Sequence, residues 1–106
     1  MPSIEQLEDL LKSSPEDIFL NYALAMELDN CGQHDRSLDI FDTLIKQEPP
    51  YVPAFFMAAQ QLTRLSRINE AREKLRDGIQ QARTQNDSHA AAEMSEFLTS
   101  LGELGE

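Results

Sequence analysis

The sequence predicts an all-α fold of six helices, and three observations indicate it. Apolar residues recur at helical spacing along most of the chain. Proline, glycine and polar cap residues interrupt this pattern near residues 13, 31, 49, 66 and 86. No segment shows the strict two-residue alternation that is typical of a half-buried strand.

Cap residues define the first two predicted helices. Ser3 is a candidate N-cap for the first, and Gln6, three residues later, completes a capping box. Ser14 is a candidate N-cap for the second, with Pro15 at the first helical position. This helix should run to about residue 30, where Gly32 supplies the left-handed turn that ends it.

The later helices differ in how their apolar residues are distributed. A proline pair ends the third helix, and a polar cluster at 86–88 starts the sixth. The second and fourth are apolar on almost every side, whereas the third and fifth carry one apolar stripe. A helix that is apolar all round must be covered on more than one side. We therefore expect the second to fifth helices to be inner, outer, inner and outer in turn. The third to sixth helices are expected at about 34–47, 51–65, 67–83 and from 88 onward.

Composition limits the classes of partner. The chain has a net charge of −10, with nine Lys and Arg scattered singly among nineteen acids. Because phosphate-binding surfaces need clustered bases, we expect no nucleic-acid partner and no membrane partner. The single cysteine, Cys31, forms no internal disulfide, the start of the chain lacks a secretory signal, and no apolar stretch approaches the ~20 residues of a membrane span. We expect a cytoplasmic protein.

One turn carries residue types that bind metals or act as nucleophiles, namely Cys31, His34 and Asp35. A zinc site needs three or four ligands, usually with a second cluster in register, and the other histidine, His89, lies far along the chain. Nucleotide-binding glycine motifs are also missing from the sequence. We expect solvated turn residues, no metal, no cofactor, no catalytic residue and no enzymatic activity.

The sequence repeats with a period of 34 residues, which is a signature of stacked helical repeats. Small residues recur at this spacing because paired helices approach closely only where one side chain is small. Ala82, which is not one of the matching small positions, is expected nearer the surface. The matching positions are Ser3, Ser37 and Ala71 (small), Leu7, Phe41 and Leu75 (large), and Leu28 and Leu62 (apolar).

These positions resemble the motif of the tetratricopeptide repeat family. One repeat reads Asn21-x2-Leu24-Ala25-x2-Leu28, Ser37-x3-Phe41 and Pro49. The next reads Phe55-x2-Ala58-Ala59-x2-Leu62 and Ala71-x3-Leu75. The chain departs from the motif at Asn21, where the family prefers an aromatic residue, and at Arg83, where it prefers proline.

The resemblance implies antiparallel helix pairs stacked as a short right-handed superhelix. The expected single domain, 1–106, divides into an N-terminal outer helix (1–14), a first repeat (15–48), a second repeat (49–84), and a capping helix and tail (85–106). The alternative is an ordinary antiparallel helix bundle.

The resemblance also implies a binding groove, because the first helix of each repeat lines a concave surface in this family. The places where some relatives hold a carboxylate are mostly aromatic or Met here, so we expect an apolar peptide or amphipathic helix of an unknown partner protein. Two alternatives stay open: the residues form the core, or the chain is a homo-oligomer that buries them itself. The candidate partner-binding residues are Phe19, Tyr22, Met26, Phe56, Met57, Gln60 and Arg64.

Overall fold

Residues 2–105 are described by a computed structural model, with side chains up to residue 102; the first and last residues of the predicted domain lie outside this range. The described residues form helices and no strand, as predicted, and the helix breaks fall at the five predicted places. The helices are α1 (Ile4–Ser13), α2 (Ile18–Asn30), α3 (His34–Lys46), α4 (Val52–Arg64), α5 (Ile68–Thr84) and α6 (Ser88–Gly105).

The caps of α1 and α2 show one prediction confirmed and one wrong. Ser3 and Gln6 form the predicted capping box at the start of α1. Ser14 does not cap α2, because the helix begins later, with Asp17 as its N-cap. The Oδ1 atom of Asp17 accepts a hydrogen bond from the Leu20 N–H at 2.9 Å. A carboxylate at this position also interacts favourably with the positive end of the helix dipole.

The side chain of Asn21 holds the segment before α2 in place. Its Nδ2 atom donates to the backbone carbonyls of Pro15 at 3.0 Å and Asp17 at 2.9 Å. An aromatic residue could not make these two bonds. This local requirement gives a physical reason for the departure from the repeat motif at Asn21.

Three helices end in the same left-handed turn. The residue after the cap has a positive φ in each case: 81° at Gly32, 62° at Ser66 and 61° at Asn86. The following N–H then donates to a carbonyl five residues earlier, as in a Schellman motif. Gly32 and Ser66 are 34 residues apart, so the same turn recurs at the sequence period. The three bonds run from Gln33 to Leu28 (2.8 Å), Arg67 to Leu62 (2.8 Å) and Asp87 to Ala82 (2.7 Å).

The chain divides into two compact units, Met1–Tyr51 and Val52–Glu106, called unit 1 and unit 2. In unit 1, α2 packs against α1 and α3 around a core of Leu7, Leu24 and Leu28. Ser37 is fully buried and its Oγ donates to the Ala25 carbonyl at 2.6 Å. A small residue therefore lies where α2 and α3 touch, as the period predicts.

In unit 2, α5 packs against both α4 and α6. Ala71 is fully buried, as expected of a small residue at a helix contact, but Ala82 is also fully buried, so its predicted surface position is wrong. Gly78 permits a second close approach: a Cβ atom there would lie 2.6 Å from Phe55 Cβ and 2.6 Å from Met94 Sδ. Gly78 and Ala82 lie on the same face of α5 as Ala71, so the buried stripe continues along the helix.

A buried arginine links α5 to the end of α6. Arg72 is 6% exposed, and its guanidinium donates to the Leu101 carbonyl at 2.9 Å and to Asn69 Oδ1 at 2.9 Å. The cation lies near the negative end of the α6 dipole, where it is favourable. Sequence patterns do not predict this contact, because Arg72 looks like an ordinary surface residue of α5.

Candidate functional site

A cluster of four aromatic rings runs from the core of unit 1 to its surface. We call Phe41, Tyr22, Tyr51 and Phe19 the aromatic cluster. Phe41 is buried, Tyr22 and Tyr51 are partly buried, and Phe19 is 74% exposed. All contacts are edge-to-face, a favourable arrangement for aromatic rings. The centroid distances are 5.9 Å for Tyr22–Phe41, 5.4 Å for Tyr22–Tyr51 and 6.4 Å for Phe19–Tyr51.

Three elements of unit 1 position these rings. Phe19 and Tyr22 lie one turn apart on α2, so they share a face of that helix. Phe41 comes from α3. Tyr51 follows α3, and its N–H donates to the Leu44 carbonyl at 3.0 Å, which fastens the segment back onto the end of α3. The exposed ring of Phe19 is thus supported by packed neighbours.

Burial favours the neutral form of Tyr22. The pKa of the Tyr22 phenol is raised, first because burial disfavours the charged form and second because of nearby Tyr51. Tyr22 therefore stays a neutral phenol well beyond physiological pH.

Phe19 stands out among the described side chains. Among the described residues, two large apolar side chains are exposed, those of Phe19 and Leu10. Leu10 lies on α1 and is 52% exposed. Aromatic residues are enriched in protein–protein interfaces relative to the rest of a protein's surface. Phe19 was one of the predicted partner-binding residues.

The other predicted partner-binding residues are less accessible. Tyr22 and Met26 on α2 are partly buried, as are Phe56, Met57 and Gln60 on α4, while Arg64 is exposed. Phe56 packs edge-on against Phe97 of α6, with 5.5 Å between ring centroids. The last helix of the chain therefore covers part of the Phe56 ring.

The structure groups the predicted residues by unit. Phe19 and Tyr22 belong to one cluster with Tyr51, which sequence reasoning missed as a site residue. The sequence places Tyr51 at the start of the fourth helix, whereas the structure places it just before α4 and within unit 1. A tyrosine directly after a proline pair is the signal that could have found it, since it cannot continue α3.

A pocket of about 450 Å³ opens beside α2 in unit 1. Its apolar lining includes Ile18 of α2 and Leu44 of α3. Two exposed carboxylates, Glu16 before α2 and Glu48 after α3, also line it. Asn21, Thr43 and Gln47 complete the lining, so the pocket combines apolar and polar side chains with negative charge.

In residues 2–105, no group of three or more His, Cys, Asp and Glu residues lies close enough together to hold a metal ion. At the predicted cluster, Cys31 is exposed and His34 Nδ1 lies 3.0 Å from Asp29 Oδ1. Within the same range, no helix combines the length and apolar character that crossing a membrane requires.

No family model, no curated protein and no solved structure matches the chain. Its residues and their geometry alone define the candidate surface. Its centre is the exposed end of the aromatic cluster.

Proposed function

We propose that this chain is a protein-interaction module that binds an apolar or amphipathic segment of a partner protein through Phe19 and its neighbours in the aromatic cluster. The supporting observation is the exposure of Phe19 on a packed set of rings. Fully burying a Phe side chain contributes about 1.5–3 kcal/mol. Aromatic anchors of this kind dominate the binding energy of many interfaces.

Preorganisation favours this surface over the rest of unit 1. The Phe19 ring already contacts Tyr51, and Tyr51 contacts Tyr22. A partner that covers Phe19 would order few additional side chains, so less of the contact energy is lost to entropy. Leu10 on α1 has no comparable aromatic support among the described contacts.

We also infer that α2–α3 and α4–α5 are tetratricopeptide-like helix pairs, stacked in the family's right-handed superhelix. The recurrence of the Gly32 turn at Ser66 and the matching burial of Ser37 and Ala71 support this. In such repeats α4 would offer contacts of its own from Phe56, Met57, Gln60 and Arg64, as α2 offers Phe19, Tyr22 and Met26. The proposed role is that of a cytoplasmic adaptor without catalytic activity or cofactor.

The test of this function is Phe19→Glu, because Phe19 is the most exposed of the predicted partner-binding aromatics. A charge there must lose its hydration at an apolar contact, which is costly. Tyr22 and Phe56 are partly buried, so a charge at either would also lower stability. Proteins that bind the purified wild-type chain from native lysate are identified, purified and titrated against the variant.

We expect binding to weaken by about thirtyfold or more, the loss typical of a hot spot, while helicity and melting temperature stay unchanged. Leu10→Glu is the matched control, since it introduces the same charge at the other exposed apolar side chain. Equal affinity of the Phe19→Glu and Leu10→Glu chains for the partner would contradict the proposal.

The second candidate is a homo-oligomer that buries Phe19 against another copy of the chain. The same exposed ring favours it. Sedimentation equilibrium distinguishes the two, because the monomer has a mass of 12.0 kDa. A dimer that Phe19→Glu converts to monomer would replace the adaptor proposal by self-association.

A further inference from the structure

Negative charge is concentrated in unit 1. Residues 1–51 contain eleven acids and three Lys or Arg, whereas residues 52–106 contain eight acids and six Lys or Arg. Unit 1 therefore carries a net charge of −8 and unit 2 a net charge of −2. The aromatic cluster and the 450 Å³ pocket both belong to the strongly acidic unit.

The pocket and the aromatic cluster use the same two elements of unit 1, α2 and the segment after α3. Ile18 lines the pocket and precedes Phe19 on α2, and Glu48 precedes Tyr51 in the segment after α3. Successive residues of a helix point about 100° apart, so a partner segment that contacts both Phe19 and the pocket must cross the first turn of α2. The pocket offers the apolar side chains of Ile18 and Leu44 and two exposed carboxylates, which suits a long side chain with an aliphatic stem and a cationic end; the polar residues Asn21, Thr43 and Gln47 complete its lining.

We propose that the partner segment is basic, and that one of its Lys or Arg side chains enters the pocket beside Glu16 and Glu48. This inference rests on the proposed function and specifies the chemistry of the partner. The stem of the basic side chain packs on Ile18 and Leu44, and a neighbouring apolar residue covers Phe19. An Arg close to the Phe19 ring adds a cation–π contact.

Charge complementarity favours this occupant over the others. An acidic segment would meet a unit with a net charge of −8, and like charges at an interface cost several kcal/mol in the general case. A second copy of the chain carries the same excess of acid. A basic segment is instead attracted over a distance of about one Debye length, ~8 Å at physiological salt.

A peptide selection tests the proposal. A phage-displayed library of random dodecapeptides is selected on the full chain at low salt, and on the Phe19→Glu chain in parallel. We expect peptides that bind only the wild type and that combine Lys or Arg with an apolar residue. Their affinity should fall with added salt.

Two charge-matched variants locate the contact for a selected peptide. Glu16→Gln with Glu48→Gln should weaken binding about fivefold, from two partly exposed ion pairs. Glu73→Gln with Glu96→Gln, exposed acids of α5 and α6, makes the same change in net charge and should alter the affinity less than twofold.

The other outcomes separate the two proposals. Phe19-dependent peptides without basic residues, or equal losses in both glutamine pairs, would overturn the basic-partner inference and leave the adaptor function standing. If no peptide depends on Phe19, both proposals fail. A wild-type dimer that Phe19→Glu dissociates would make a second copy the occupant and overturn the basic-partner inference as well.

Discussion

Gly78 gives the sharpest test of how unit 2 is packed. Gly78→Ala should stabilise an ordinary exposed helix, because Ala is about 1 kcal/mol more favourable than Gly in a helix interior. Here the new Cβ would lie 2.6 Å from Phe55 Cβ and 2.6 Å from Met94 Sδ. Carbon atoms in contact prefer about 3.5–4.0 Å, so the neighbours must move by about 1 Å.

The two neighbours differ in how they can respond. The Met94 sulfur lies far out on a flexible side chain and can change rotamer. Phe55 Cβ is attached directly to the α4 backbone, so relief of that contact requires α5 to move away from α4. Overpacking of this kind costs about 1–3 kcal/mol. Since the fixed contact favours the upper part of that range, we expect a net loss of about 1–2 kcal/mol.

Thermal and urea unfolding, followed by circular dichroism, measure this loss. A drop of roughly 4–8 °C per kcal/mol is expected for a domain of about this size. Asp77→Ala, at the exposed neighbouring position of α5, is the control and should gain a few tenths of a kcal/mol. If Gly78→Ala stabilises the chain as much as Asp77→Ala, the close approach of α5 to α4 is refuted.

A double-mutant cycle then separates the two contacts. Met94→Ala removes the sulfur and leaves the Phe55 contact intact. If Phe55 Cβ limits the approach, the losses from Gly78→Ala and Met94→Ala should add, with a coupling energy near zero. A favourable coupling of about 1 kcal/mol would instead assign the strain to Met94.

Three further predictions concern single positions. Ser66→Gly should raise the free energy of unfolding by about 0.5–1 kcal/mol, because a non-glycine residue at positive φ is strained. Gly32→Ser should lower it by a similar amount, and urea unfolding measures both changes. In a Tyr51→Phe chain, tyrosinate absorbance should show Tyr22 ionising at higher pH than in the urea-unfolded chain. The pKa of Tyr22 is higher in the folded chain than in the unfolded chain, where it is about 10. Ionisation of this phenol therefore lowers the free energy of unfolding only as the pH rises above about 10. Ala71→Leu should cost about 1–3 kcal/mol by overpacking, measured by thermal unfolding against a Leu at an exposed α5 position.

Local sequence signals predicted the helices well, since each acts within one turn. The Ser3 capping box and the Gly32 turn formed as expected, because their partners lie three to five residues away. The start of α2 was placed too early. The prediction named Ser14 as the cap, whereas Asp17 caps the helix and the Asn21 side chain binds the carbonyls of Pro15 and Asp17 in the segment before it.

Long-range contacts account for most of what the sequence could not predict. Arg72 is buried because the Leu101 carbonyl, 29 positions away, accepts from its guanidinium. Ala82 is buried because it follows Ala71 by about three helical turns on the same face of α5, so its predicted surface position misread the helical period. Helical periodicity reports that a face is apolar, but it does not report which other faces a neighbouring helix covers.

The contrast between α2 and α4 connects this difference to function. Both helices read as apolar on nearly every side. Seven residues of α4 are buried, and both α5 and α6 contact that helix. In α2 three residues are buried, and Phe19 stays exposed although its ring contacts Tyr51. Burial of three residues does not explain the apolar character of the rest of α2. Leu20 and Ala23 pack, partly buried, against the core of unit 1, whereas Phe19 stays exposed. The partner surface is therefore proposed on α2 before α4.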